Sequence, residues 1–465
     1  MKALFIKLSA LFLFVIIAAG CRKTEFSEMA DSTGINSDAS ASAQPNVILI
    51  LADDIGYEVP TYTGGQSYST PNIDFLASHG MQFTQSHTAP LCSPSRFMLL
   101  TGKYNFRNYT TWGTLDSTQK TIANLMRKAG YATCMAGKWQ FDGGGASIQK
   151  FGFQKYLVTN PFNVDFEDDG ALKFYKDPQI YENGAYWPDN LTKGKYGDDI
   201  IRDYMFNFID SMSMKKNKPF FIYWATNLVH APFCPTPDDP EFATWNSDKK
   251  KQPGDTIYFP SMIKYEDKIV GQLLSKLKAD KIAGKTLILW LGDNGTASQI
   301  HSVWNGEIVG GAKSSSTEAG THVPMVAYLP GRIMPGTVDT SLISLVDFMA
   351  TIGDVAGVSI PGSYGTTDGI SFSPQFAGNY SNVRPWIFCH FLGAGKNETN
   401  PLYLKRWMQD HTYKQYDTLP NPGYSKRFYN IVSDPEEKYP IATKNMTTKE
   451  KTISKTFLNN MSQLH

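Results

Sequence analysis

The sequence predicts an α/β fold: a large, mostly parallel central sheet covered by helices on both faces, followed by a smaller C-terminal α+β subdomain with a short antiparallel sheet. Three observations predict it. Short, β-rich apolar runs alternate with longer segments of helical period through most of the chain, and that alternation buries a parallel sheet between two helical layers. Beyond about residue 370 the alternation loosens into aromatic and polar segments that end in an amphipathic stretch. The chain of 465 residues is long enough for one large core with a smaller satellite.

The strands are read first. Asn46 to Ala52, Tyr131 to Ala136, Pro219 to Thr226, Thr286 to Leu291 and Val323 to Leu329 are apolar enough to be buried on both faces. Pro71 to His79, Thr121 to Ala129, Asp198 to Met212 and Ser261 to Lys278 carry the helical period. In the tail, Trp386 to Leu392, Tyr403 to Met408 and Arg427 to Val432 are aromatic and polar segments, and Thr448 to Met461 reads as a closing amphipathic helix, which together suggest a small α+β appendage.

The first residues, Met-Lys-Ala-Leu-Phe-Ile-Lys, precede an apolar stretch from Leu8 to Ala19 and then Gly20-Cys21, the layout of a secretory signal. The uninterrupted apolar run is shorter than the roughly 20 residues a spanning helix needs. Residues 22–44, rich in Ser, Ala and Asp, have the composition of a tether. The expected division is therefore a signal over 1–21, the tether over 22–44, a large main domain over 45–370 and a C-terminal subdomain over 371–465.

Lys and Arg number 44 against 43 Asp and Glu, so no global field draws the chain to nucleic acid and any anion selectivity must be local. The four cysteines after Cys21 (Cys92, Cys134, Cys234 and Cys389) fit no disulfide framework or metal-ligand spacing. Cys134 and Cys389 lie in apolar surroundings and read as small buried hydrophobes.

In an open parallel sheet, functional groups gather at the carboxyl ends of the strands. The first predicted strand runs into Asp53-Asp54, the second into Gly137-Lys138-Trp139-Gln140, the third into Asn227-Leu228-Val229-His230 and the fourth into Asp293-Asn294-Gly295. Singly, Asp-Asp reads as a helix cap and Asp-Asn-Gly as a turn. At matching strand ends, Asp53, Asp54, Asp293 and Asn294 form an all-oxygen ligand set suited to calcium or magnesium rather than zinc. Cys92-Ser93-Pro94-Ser95-Arg96 reads as a loop opening into a helix, with Pro94 in its first turn and Arg96 one turn on from Cys92. A helix N-terminus and a guanidinium fork together suit a tetrahedral anion.

Cys92 to Lys103 resembles the signature of the type I sulfatases of the alkaline phosphatase superfamily, Cys-x-Pro-Ser-Arg followed by Leu-Thr-Gly-(Arg/Lys). The similarity extends to Pro45 through Gly56, Thr70 through Gly80, Lys313 through Pro324, Leu345-Val346-Asp347, Asp368 through Ser371 and Asp434 through Glu437. The resemblance implies an alkaline-phosphatase-like α/β/α sandwich that hydrolyses sulfate monoesters. It implies that a maturation enzyme oxidises Cys92 to formylglycine, whose hydrated aldehyde binds the metal, attacks sulfur and later expels sulfate. By the same resemblance Asp53, Asp54, Asp293 and Asn294, with the modified Cys92, hold calcium, magnesium being the alternative. Arg96 stabilises the hydrate, Lys138 and Lys313 neutralise the sulfate oxygens, and His230 protonates the leaving oxygen. Ala18-Ala19-Gly20-Cys21 resembles a bacterial lipoprotein signal, implying export and a lipid anchor at Cys21 in the periplasm or on the cell surface.

One position departs from the family. Gln140 stands where a histidine usually helps eliminate sulfate, and glutamine takes up no proton in the working range. His301 and His322 are candidates to substitute for it or to touch substrate. Trp112, Trp139, Trp187, Trp245 and Trp304 could stack on sugars or simply pack. The competing readings are a phosphate or phosphonate monoester hydrolase, a non-catalytic lipoprotein that binds sulfated glycans, and a Cys92/His230 thiol hydrolase.

Overall fold

The computed structural model describes residues 44–109, 113–141, 145–159, 173–214, 218–246, 255–393 and 401–464. The signal, Cys21, nearly all of the tether and Trp112 lie outside them.

The main sheet is built from β1 (Asn46–Ala52), β2 (Met81–His87), β3 (Ala132–Lys138), β4 (Lys155–Thr159), β5 (Ile180–Glu182), β6 (Ala185–Tyr186), β7 (Phe220–Ala225) and β8 (Thr286–Gly292). The hairpin β9 (His301–Trp304) and β10 (Glu307–Gly310) stands apart. The main sheet is then completed by β11 (His322–Tyr328), β12 (Thr337–Asp339) and β13 (Ile343–Ser344). Its order is β12-β2-β11-β8-β1-β7-β3-β4-β5-β6, with β13 also on β2.

The four central strands β8, β1, β7 and β3 run parallel, so their carboxyl ends share one edge. Each is fully buried apart from Asn46 at the start of β1, as expected of apolar runs covered on both faces. The strand expected over Val323 to Leu329 is present as β11 but runs antiparallel to both β8 and β2, so the sheet is mixed on that side. The sequence pattern had not marked β2. Gln82 and Thr84 alternate with its buried Met81 and Phe83, and this half-polar strand lacks the continuous apolar run that marks its neighbours.

Helices α1 (Pro71–His79), α2 (Cys92–Thr101), α3 (Asn105–Asn108), α4 (Ile122–Lys128), α5 (Gly145–Lys150), α6 (Asp189–Thr192), α7 (Gly197–Ser213), α8 (Phe259–Ala279), α9 (Glu318–Thr321), α10 (Asp347–Val355) and α11 (Thr448–Met461) complete the fold. Their ends follow local chemistry. Pro71 opens α1, and reciprocal capping boxes start α4 (Thr121 with Asn124) and α11 (Thr447 with Glu450). Gly102, at φ 65°, ends α2 in the left-handed conformation and returns its N–H to the Met98 carbonyl at 3.0 Å. No helix among the described residues is long and apolar enough to cross a membrane.

The tail forms a four-stranded antiparallel sheet of β14 (Ile387–Leu392), β15 (Leu404–Gln409), β16 (Tyr413–Tyr416) and β17 (Phe428–Asn430), with α11 packed on it. Phe388, Trp407, Met408 and Tyr416 belong to the same apolar core as Val47, Leu289 and Phe348 of the larger part. The buried Arg384 fastens the two, donating to Asp347 Oδ2 at 2.8 Å and to the Tyr104 hydroxyl at 2.9 Å. Cys92, Cys134, Cys234 and Cys389 are all buried free thiols.

Candidate active site

The sheet's hydrogen-bond ladder continues past the strand ends and fixes the rim. Asp53 N–H donates to the Leu228 carbonyl at 3.1 Å, Val229 N–H to the Asp53 carbonyl at 2.8 Å, and Asp293 N–H to the Ala52 carbonyl at 2.9 Å. The segments after β1, β7 and β8 are thereby stitched side by side. Beside them, β3 leaves the sheet at Gly137, whose φ is 104°. A Cβ there would lie 1.9 Å from the Ala225 carbonyl oxygen, so only glycine lets Lys138 approach at this angle.

Four sequence-predicted carboxylate and amide groups and three cations meet on this rim. Asp54 N–H donates to Asp293 Oδ1 at 3.1 Å, and Asn294 Nδ2 donates to Asp54 Oδ1 at 2.8 Å. The Arg96 guanidinium donates to Asp293 Oδ2 at 2.9 Å and to the Lys138 carbonyl at 2.8 Å, and lies 3.5 Å from Asp53 Oδ2. Lys138 pairs with Asp53, and Lys313 Nζ lies 2.7 Å from Asp54 Oδ1. Lys313, with a side chain 18% exposed, stands at the opening, whereas Arg96 at 0% and Lys138 at 3% are sealed behind it.

Cys92 is the first residue of α2, so its side chain sits where the helix presents unpaired N–H groups. Ligand atoms of Asp53, Cys92 and Asp293 lie within 4.8 Å of one another, and so do those of Asp53, Asp54 and His230. Asp53 Oδ1 and Asn294 Oδ1 are buried without a hydrogen-bond partner among the described residues. Two sealed oxygens without donors, beside further carboxylates, fit a hard divalent cation.

Burial pushes the Asp53 carboxyl up, but Lys138, His230, Arg96 and Lys313 together overcome it and hold the group well below the usual carboxylate range. Its neighbour Asp293 goes the other way, raised by burial and by the charge on Asp53 against the pull of Arg96. His230 is pushed down to about 4, first by burial and then by Lys138 and Lys313. Its Nδ1 faces the Ala231 carbonyl at 2.5 Å, and a carbonyl only accepts. Nδ1 therefore carries a proton, which leaves Nε2 as the position that gains or loses one.

Gln140, two residues after Lys138, has φ 58°, with Oε1 buried and without a partner among the described residues. Neither candidate for its replacement joins the rim cluster. His322 is stacked on Tyr57 at 4.0 Å and on His87 at 5.1 Å, with Nε2 held by the Thr84 carbonyl at 2.8 Å. His301 lies exposed on β9. Trp139 is fully buried among Phe141, Phe151 and Phe153, so it packs and does not stack on a ligand, whereas Trp187, Trp245 and Trp304 are partly exposed.

Residues that the sequence pattern had not singled out support the rim from behind. Asp198 Oδ1 accepts the Asn227 N–H at 3.3 Å, Thr159 Oγ1 donates to Asn227 Oδ1 at 2.7 Å, and the Tyr175 hydroxyl lies 2.7 Å from the Asn227 carbonyl and 2.6 Å from that of His230. Asp198 reads in sequence as an ordinary first-turn acid of α7, and nothing local distinguishes it from Asp199.

Comparison with known proteins identifies the family and the fold. The Sulfatase family profile matches residues 45–358. N-acetylgalactosamine-6-sulfatase of Canis lupus familiaris is 30% identical over 381 residues, spanning 75% of this chain and 69% of that one. Arylsulfatase G of Rattus norvegicus is 29% identical over 410 residues, 77% of this chain and 73% of the relative. Among solved structures, Ps i-CgsB superposes with a TM-score of 0.71 at 24% identity, covering 90% of this chain and 92% of the other. The phosphonate monoester hydrolase of Agrobacterium radiobacter superposes at 0.61 with 19% identity, over 90% and 94% of the two chains. By fold this is an alkaline-phosphatase-like α/β protein, a mixed, mostly parallel sheet flanked by helices with a small antiparallel sheet appended. Within that class the chain belongs to the sulfatase family and is a sulfuric ester hydrolase.

Proposed function

We propose that this enzyme cleaves sulfate monoesters of a carbohydrate, with Cys92 matured to formylglycine and a divalent cation, calcium before magnesium, at the rim. The observation that carries the reading is the convergence of Asp53, Cys92 and Asp293 ligand atoms within 4.8 Å, ringed by Arg96, Lys138 and Lys313. Similarity to an N-acetylgalactosamine-6-sulfatase, and in fold to an enzyme solved with D-glucosamine-2-N,6-O-disulfate, supports a sulfated sugar as the substrate class.

Asp53, Asp54, Asp293 and Asn294 would hold the cation, with the modified Cys92 beside them. When bound, cation and formylglycine together supply an activated oxygen nucleophile and a sink for negative charge. Lys313, at the opening, meets the sulfate oxygens first, and Lys138 with Arg96 stabilises charge deeper in. His230, its Nδ1 fixed by Ala231, turns Nε2 to the ester oxygen; the bound sulfate offsets the Lys138 and Lys313 charges that hold the ring's pKa down, so that Nε2 takes up a proton and delivers it as the sulfur–oxygen bond breaks. Sulfate and an alcohol leave, and one water is consumed. Gln140 offers hydrogen bonds but no proton uptake, so the base that returns sulfate to solution is a different group from the usual histidine.

The N-terminal sequence supports export by a lipoprotein signal, with the lipid on Cys21 placing the enzyme in the periplasm or on the cell surface. The division into a catalytic domain over 45–370 and a C-terminal subdomain over 371–465 is part of the same reading.

The test is mass spectrometry of protein co-expressed with a formylglycine-generating enzyme, together with sulfate release from an aryl sulfate, the matching aryl phosphate and a panel of sulfated saccharides. The expected result is a loss of about 18 Da at Cys92 with turnover on sulfates in preference to phosphates. Complete conversion with no release from any sulfate would overturn the reading and favour a sulfated-glycan-binding protein.

A further inference from the structure

The loop that carries Lys313 is held from two sides. On the inner side, Lys313 N–H donates to the Thr296 carbonyl at 2.9 Å, and Ser314 N–H donates to the Pro90 carbonyl at 2.8 Å, two residues before Cys92. Gly295 N–H donates to the Gly320 carbonyl at 3.1 Å, closing the far end of the loop onto the Asp293-Asn294 turn. On the outer side the contacts come from the C-terminal sheet and the turn that follows it. The Lys414 ammonium, with a fully buried side chain, donates to the Ser316 carbonyl and to Glu437 Oε1 at 2.7 Å. The Tyr416 hydroxyl lies 2.7 Å from Ser316 Oγ and 2.6 Å from Glu437 Oε2. Gln409 Nε2 donates to Glu318 Oε1 at 2.8 Å.

An ammonium removed from water is costly unless paired and hydrogen-bonded, and Lys414 finds those partners only where Ser316 and Glu437 meet. Main chain three residues from Lys313 is thereby tied to a buried ion pair rather than left as free loop. Lys313 itself is a long side chain with many rotamers at the opening of the site, so its reach is set by where its backbone is pinned.

We propose that Lys414, Tyr416 and Glu437 are positioning residues for Lys313: through Ser316 they fix the lysine loop so that its ammonium meets the sulfate group. The C-terminal sheet is then part of the sulfate-binding apparatus without touching substrate. The proposal rests on Lys313 contacting sulfate in the reading above.

The test compares the full-length matured enzyme with Lys414→Met, Lys414→Arg and Tyr416→Phe. Three readouts are taken: hydrogen exchange across residues 313–321, inorganic sulfate affinity by calorimetry, and KM and kcat on an aryl sulfate. Lys414→Met is expected to speed exchange in the loop and to weaken sulfate binding and raise KM by roughly 10-fold, the scale of a small misplacement of a binding group. Lys414→Arg, which can still bridge Ser316 and Glu437, is expected to recover most of the loss. Tyr416→Phe gives a milder version of the same pattern and serves if Lys414→Met fails to fold. Unchanged exchange in the loop, or faster exchange with unchanged sulfate affinity and KM, would overturn the proposal and leave the ion pair a structural fastening. If the wild type hydrolyses no sulfate ester, the functional reading fails, and the sulfate affinities of wild type and variants still decide the positioning role.

Discussion

Two groups of buried acids lie a short way apart, and they resolve the same problem in opposite ways. On the rim, Asp53, Asp54 and Asp293 are ringed by Arg96, Lys138 and Lys313, and Asp53 stays anionic despite complete burial. Behind it, Asp198 and Glu266 have no ion-pair partner among the described residues. Burial pushes Asp198 up to about 7 and Glu266 well above the usual range. Burial alone therefore neutralises a carboxylate, and what marks the rim as chemistry-bearing is the cationic company that keeps the charge on Asp53 available while its neighbour Asp293 is raised by burial and by that charge.

The most severe way to break the contrast is Asp53→Asn, which removes the one rim carboxylate that appears in both ligand groupings. Aryl sulfate hydrolysis should fall by about 1,000-fold or more, and the rise in Tm on adding calcium should disappear. Retained hydrolysis or retained calcium stabilisation would place the cation elsewhere.

Next in size, Lys138→Met strips the buried Asp53 of its ammonium. Removing one partner of a sealed pair costs about 3–5 kcal/mol, read as a lower Tm in chelator. Calcium should recover part of that loss, because a cation beside Asp53 does the same electrostatic work as the missing lysine. A Tm equally low with and without calcium would contradict this.

The smallest effect sharpens the other half of the comparison. The carboxyl of Asp198 ionises at about 7 in the folded protein against an ordinary 3.8. Between those values the folded protein holds a proton that the unfolded chain has released. The contribution to stability is therefore full below the ordinary carboxylate range and lost as pH rises toward 7. Asp198→Asn should flatten Tm across pH 4–7 relative to the wild type, by a few degrees. An unchanged slope would show that Asp198 is ionised throughout.

The carboxylates of the rim and Lys138 were legible in sequence because they directly follow continuous apolar runs, in Leu-Ala-Asp53-Asp54, Ala-Gly-Lys138 and Leu-Gly-Asp293-Asn294, whereas Lys313 follows none and was reached only through the resemblance. Once β8, β1, β7 and β3 align in parallel, that placement becomes proximity. The closing helix Thr448–Met461 was equally legible, its start marked by the Thr447/Glu450 capping box. β2 and the antiparallel run of β11 were not, because period-2 polarity on a half-exposed strand is weak and strand direction leaves no mark on composition. The role of Lys414 was invisible for a different reason. It is an ordinary charged residue until tertiary contact brings it to Ser316, and no local pattern announces a partner 98 residues away.

The burial of Cys92 at the head of α2 also sets an order of events in time. The residue is only 4% accessible in the folded protein, and the Ser314 to Pro90 and Lys414 to Ser316 bonds that hold the neighbouring loop use residues made long after it. At roughly 5–20 residues per second, several hundred residues of synthesis separate Cys92 from the last of these by some tens of seconds. If Cys92 is matured as proposed above, a modifying enzyme would have that interval on the growing chain, and slower folding of the C-terminal sheet would lengthen it.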